Sequence, residues 1–179
     1  MSTRLFVAID APDHVKADLE SLQLGVPGAR WLDADQMHLT LRFLGDIDGA
    51  LRRDIESTLN RVRVPAFEIQ LEGVGYFPPR GEIKTLWAGV ARSEPLVQIR
   101  RWVDGQLTRL GVEPDRRKFV PHVTVARLTE PPPTRVARWV AEHGLYRSDA
   151  FDVEAIHLFS SHMHRKSAHY EHEAAFLLR

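Results

Sequence analysis

The apolar residues of this chain repeat with two different periods, and the periods alternate along its length. Leu5-Phe6-Val7-Ala8-Ile9 is apolar without a break, which reads as a short central strand buried on both faces. Ala11-Pro12-Asp13 then opens a helix with Val15, Leu19 and Leu22 on one face. Residues 37–44 alternate in the strand manner and are expected to stop at Gly45-Asp46. Helical spacing returns with Leu51, Ile55, Leu59 and Val62. Phe67 to Glu72 alternates apolar and polar strictly, Gly73 to Gly81 reads as a loop, and Thr85 to Ala91 as another strand.

Ser93 can cap a third helix carrying Leu96, Ile99, Val103, Leu107 and Leu110, with Gly111 ending it. Val120 to Leu128 is strand-like with an irregular start at Pro121. After Pro131-Pro132-Pro133, Val136, Trp139 and Val140 mark a short helix that ends at Gly144. Two strands, at about 151–160 and 168–178, close the chain. Several strands adjoin in sequence, so the pattern predicts an α+β fold with a mixed or antiparallel sheet rather than a doubly wound one.

Composition narrows the field. With 179 residues and 44% apolar content, one compact domain or two small lobes can bury a core. Lysine plus arginine balances aspartate plus glutamate at 24 each, so long-duplex binding is disfavoured, while a nucleic-acid end held by local charge is not. The absence of cysteine removes disulfides, thiolate metal sites and a cysteine nucleophile. The run Leu5 to Ile9 is too short for a signal-peptide core or a membrane span, so a soluble, cytoplasmic protein with no membrane partner is expected.

Two strand segments share one pattern, His38-Leu39-Thr40-Leu41 and His122-Val123-Thr124-Val125, set close to half the chain length apart. Alternate side chains of a strand point the same way, so each His shares a face with its Thr, about 6–7 Å along a rigid element. The intervening aliphatic residues can anchor the opposite face. If the two strands converge, two imidazoles and two hydroxyls meet in one cavity. With an unperturbed pKa of about 6.5, one histidine can take a proton while the other gives one. Threonine hydroxyls can donate to non-bridging phosphate oxygens. The set suits in-line displacement at phosphorus without a metal or cofactor.

At these residues the sequence resembles the 2H phosphoesterase superfamily, defined by two His-x-Thr-x motifs, and within it the bacterial RNA 2′,3′-cyclic phosphodiesterases, also called 2′-5′ RNA ligases. The resemblance runs from Arg4-Leu5-Phe6-Val7-Ala8-Ile9 through His38-Leu39-Thr40-Leu41-Arg42-Phe43-Leu44-Gly45 and Gly73-Val74-Gly75-Tyr76-Phe77-Pro78. It continues over Pro121-His122-Val123-Thr124-Val125-Ala126-Arg127 to Leu158-Phe159-Ser160-Ser161 and Tyr170. It implies one bilobal α+β domain over residues 1–179, with two antiparallel-sheet lobes, pseudo-two-fold symmetry, helices on the outer faces and a groove between the lobes. It also implies a monomer that hydrolyses the 2′,3′-cyclic phosphate of an RNA 3′ end or nucleotide to a 2′-phosphate. By resemblance, His38 is the acid toward O3′, His122 the base toward water, Thr40 and Thr124 phosphate binders, Phe43 a base-stacking aromatic and Arg127 a substrate-contacting arginine.

Strand parity gives those last two less support. Phe43 and Arg127 each lie five residues after their histidine, so a straight strand turns both to the opposite face; a twist or bulge must intervene, or Phe43 is core. Arg116-Arg117-Lys118 can add local charge but ordinarily reads as a solvated loop. Two alternatives belong to other classes. A metal site could use His162 and His164 with His157, His169 and His172 nearby, although no carboxylate joins them in a recognised spacing. A non-catalytic module binding RNA ends would keep the threonines and aromatics without needing two titrating histidines.

Overall fold

Five consecutive apolar residues put β1 (Ser2–Asp10) where the sequence expects it, in the middle of a sheet. The computed structural model describes residues 1–179. After β1 come α1 (Asp13–Glu20), the short β2 (Arg30–Trp31), a 3₁₀ turn (Ala34–Gln36), β3 (His38–Asp48) and α2 (Gly49–Leu59). Next are β4 (Phe67–Ile69), β5 (Leu71–Phe77), β6 (Thr85–Val90) and α3 (Glu94–Arg109). The chain closes with β7 (His122–Arg127), α4 (Pro133–His143), β8 (Phe151–Val153), β9 (Ala155–His164) and β10 (Ser167–Leu177). No helix is long and apolar enough to cross a membrane.

The main sheet runs β10-β9-β1-β3-β7-β6-β5, antiparallel throughout, with β2 also on β7 and β4–β8 as a separate pair. Its two halves are joined in the ladder by one residue pair, Leu39 opposite Val123. Both are fully buried, as the middle residues of the two motifs should be if they anchor the strands. The alternation of β1 sorts the two faces of its half. Leu5, Val7 and Ile9 join the large core, to which the helices contribute Val15, Leu19, Ile55, Leu59, Ile99, Val103 and Trp139. Phe6 and Ala8 point the other way and pack with Phe159 beneath Tyr170. One face is thus sealed by helices, and the other keeps only a thin aromatic floor.

Several boundaries differ from the sequence expectation for physical reasons. β3 does not stop at Gly45 but runs to Asp48, because Gly45 takes φ +81° beside a bulge and the ladder to β1 resumes past it. Asp48 then accepts a hydrogen bond from the Leu51 N–H at 2.8 Å and caps α2. Phe67 to Glu72 is two strands in two sheets, β4 on β8 and β5 on β6, parted at Gln70. The glycine-rich segment after it is mostly strand: a Cβ on Gly75 would lie 2.4 Å from the Trp87 ring, so its glycine marks a close approach rather than a turn. Leu22 and Val62 are core residues contributed from just beyond their helices. The two expected closing strands are three, and β2 with its 3₁₀ turn had no period long enough to show.

Candidate active site

The single β3–β7 pair positions the four motif side chains. In an antiparallel ladder the neighbours of facing residues also face each other. Continuing the Leu39–Val123 register therefore sets His38 across from Thr124 and Thr40 across from His122. Each imidazole is the diagonal partner of the other, a separation of about 7–8 Å in a regular ladder. All four side chains line one cavity of about 490 Å³ between the sheet halves. The strands that the sequence left half a chain apart thus share a groove.

Phe43 and Arg127 line the same cavity, against simple parity. The cause is a pair of bulges at matching positions. β1 pairs Ala8 with Thr40 and Val7 with Arg42, leaving Leu41 as the extra residue. β6 pairs Trp87 with Thr124 and Leu86 with Ala126, leaving Val125 extra. Each bulge lies three residues after its histidine and resets the alternation, so the fifth residue returns to the groove face. The aliphatic side chains of Leu41 and Val125 go into the helix-side core. The Val125 carbonyl accepts from the Leu32 N–H at 2.9 Å and from the Gln23 amide at 3.2 Å, so the bulged backbone stays satisfied. Phe43 is consequently not core: it is 58% exposed, with its ring 5.8 Å from Phe6.

The two histidines sit in different surroundings. His38 is 8% exposed, with its ring centroid 4.2 Å from Phe159, 5.8 Å from Tyr170 and 6.1 Å from Phe6. Its Nε2 lies 3.7 Å from Oδ1 of Asp10, its neighbour across the β1–β3 ladder, and that oxygen accepts from Lys16 Nζ at 2.7 Å. Its Nδ1 is buried without a protein partner. Burial dominates and lowers its pKa to about 4, with the Asp10 charge pulling the other way.

His122 is half-buried, with Phe77 edge-on at 5.0 Å and Trp87 at 5.8 Å. Pro121 has no N–H to give the ladder, so β7 starts at His122 and the Val120 carbonyl remains free. His122 Nδ1 meets that carbonyl at 2.7 Å. A carbonyl can only accept, so Nδ1 carries the proton and Nε2 of the neutral ring holds the lone pair. Burial lowers this pKa as well, and the Val120 hydrogen bond opposes it.

The balance of charge is local. Five cations and one carboxylate line the cavity of a chain whose formal net charge is zero. Arg42 and Arg100 are buried and committed: Arg42 contacts Asp104 at 3.2 Å and donates to the Glu113 carbonyl, and Arg100 pairs with Asp104 and lies over Phe119. Together they pin the segment before β7. Arg117, tied at 3.1 Å to Asp115, and Lys118 line the cavity from an exposed loop, while Arg116 does not. The late histidines lie outside the cavity lining. There the structure corrects the spacing argument, since His162 does meet two carboxylates, Glu171 and Glu173, within 4.8 Å. Glu173 is already held by Arg52 at 2.9 Å and Ser160 at 2.7 Å.

Sequence reading missed Asp10 and Lys16, whose only signal was a carboxylate ending a wholly apolar strand. The arrangement can hold an anion between two hydroxyls and two imidazoles and move a proton on each side of it. The family model of the 2′-5′ RNA ligase superfamily matches residues 11–165 of this chain. The chain belongs to that superfamily. Among its relatives, the RNA 2′,3′-cyclic phosphodiesterase of Archaeoglobus fulgidus is 34% identical over 70% of this chain and 72% of its own length. That of Escherichia coli is 30% identical over 73% and 77%. Among solved structures, the TT0787 protein of Thermus thermophilus superimposes with a TM-score of 0.83 at 25% identity, covering 98% of both chains. Escherichia coli LigT complexed with 3′-AMP gives 0.80 at 24%, covering 99% of both. The α+β fold, with its antiparallel sheet, is therefore that of the 2′-5′ RNA ligase superfamily over essentially the whole chain.

Proposed function

We propose that this 2′-5′ RNA ligase superfamily member hydrolyses the 2′,3′-cyclic phosphate at an RNA 3′ end, or on a nucleotide, to a 2′-phosphate. The observation that carries the reading is the single Leu39–Val123 pair, which turns both histidines and both threonines onto one cavity. Relatives named RNA 2′,3′-cyclic phosphodiesterase, 32% and 34% identical over 73% and 70% of this chain, support it.

Nε2 of His122, with Nδ1 committed to Val120, takes a proton from water as its oxygen attacks phosphorus. The P–O3′ bond breaks, and O3′ receives a proton from His38, whose cationic form Asp10 favours. Thr40 and Thr124 donate to the non-bridging oxygens, and Arg127 adds positive charge. Phe43, exposed at the rim, offers a stacking face to the terminal base. Both imidazoles are held below their ordinary pKa, and a bound phosphodiester anion raises both. The substrate thus recruits the proton the acid needs. The test is incubation with 2′,3′-cyclic-phosphate oligonucleotide in EDTA, followed by product identification. A 2′-phosphate is expected; binding without product, or a 3′-phosphate, would overturn the reading.

A further inference from the structure

We propose that Asp10 and Lys16 form a charge clamp that positions His38 and tunes its proton affinity for the acid role. The inference rests on the functional reading above and extends it to residues outside the two motifs. Asp10 is the last residue of β1 and faces His38 in the ladder, so the backbone itself fixes the carboxylate beside the ring. Lys16, one turn into α1, is 7% exposed; its ammonium reaches Asp10 at 2.7 Å, closer than His38 does at 3.7 Å. A buried ammonium needs a counter-charge, and a lone carboxylate would bind a buried imidazolium strongly. Sharing one carboxylate between the two cations leaves His38 able to hold a proton and able to release it.

The second half of the molecule has no equivalent. His122 leans on a neutral carbonyl, which fixes its tautomer without offering a charge. The clamp therefore distinguishes two otherwise matching motifs. Of the two ring nitrogens of His38, Nε2 is turned to Asp10, and Nδ1 is buried without a protein partner, so Asp10 and the Lys16 it holds are the charges set directly against the ring. Other titratable groups face the ring from neighbouring elements: His157 on β9, Asp35 in the 3₁₀ turn and Tyr170 on β10. His157 itself feels Asp10 and Lys16, so its titration is followed beside that of His38 in the variants below.

Two substitutions pull in opposite directions. Asp10→Asn removes the attraction and leaves the Lys16 charge, so the His38 titration followed by NMR in the protein alone moves to lower pH. Lys16→Met frees the carboxylate for His38, and the titration moves to higher pH. A purely structural role would shift both the same way or neither, and either result overturns the clamp. The acid role is read with a cyclic substrate whose 3′ oxygen is replaced by sulfur. There the P–S bond breaks and a thiolate leaves without needing a proton, giving a 2′-phosphate beside a 3′-thiol. Asp10→Asn should slow the oxygen substrate about 10- to 100-fold, the scale of one charge-assisted contact, and slow the sulfur substrate far less. Equal losses on both substrates overturn the proposal. Wild-type turnover of the oxygen substrate separately tests the functional reading.

Discussion

The two histidine half-sites begin from the same four-residue pattern and end in different electrostatic states. Both strands place His and Thr on the groove face, and both carry a bulge three residues after the His, returning Phe43 in one and Arg127 in the other. The enclosures diverge. His38 is sealed by Phe159, Phe6 and Tyr170 and looks at a carboxylate; His122 has Phe77 and Trp87 beside it and looks at a backbone carbonyl. A carboxylate stabilises an imidazolium, whereas a carbonyl acceptor chooses a tautomer of the neutral ring. Under the proposed function, acid and base are distinguished by what stands behind each ring rather than by the motifs themselves.

The comparison breaks most visibly if the histidines are removed. His38→Ala and His122→Ala should each lower kcat on a cyclic-phosphate dinucleotide by about 10²–10⁴, measured in steady state, and near-normal turnover by either would end its assignment. The pH profile sharpens the difference between the halves. His38 has its pKa lowered to about 4 and His122 has its own lowered, both by burial, so the singly protonated free enzyme peaks below the ordinary histidine value. We expect a bell-shaped kcat/KM centred below about pH 6.5, with apparent pKa values belonging to the pair, and a kcat optimum at higher pH because the bound anion raises both. A kcat/KM optimum on the alkaline side would contradict this.

Smaller effects follow for the flanking groups. Phe43→Ala should raise KM by the equivalent of about 1–3 kcal/mol of stacking and leave kcat little changed. An equal loss on a substrate lacking the base would show that Phe43 is only scaffold. Thr40→Val and Thr124→Val should each cost about one to two kcal/mol in kcat/KM, one hydrogen bond to a charged oxygen apiece. Unequal costs would show which half-site holds the phosphate more tightly.

Much of this was legible in the sequence, and the gaps have physical causes. The central β1, the helix caps and the twin motifs follow from local rules: an unbroken apolar run, Ser93 before an apolar repeat, an alternation of two. The groove face of Phe43 and Arg127 was not legible, because a one-residue bulge inverts parity and leaves no local signature in Leu41 or Val125. Gly73 to Phe77 resembled a loop because glycine signals both turns and close packing, and only the Trp87 ring decides which. Asp10 and Lys16 were invisible as site residues since their partner lies across a ladder, beyond any sequence window.

Ring resonances of the nine histidines, followed by NMR across pH with and without inorganic phosphate, test the central geometry most directly. His38 and His122 should both move to higher pKa with one shared saturation curve, which histidines remote from the groove do not follow. Movement of only one, or of the two with different phosphate affinities, would mean that the imidazoles do not face a common phosphorus.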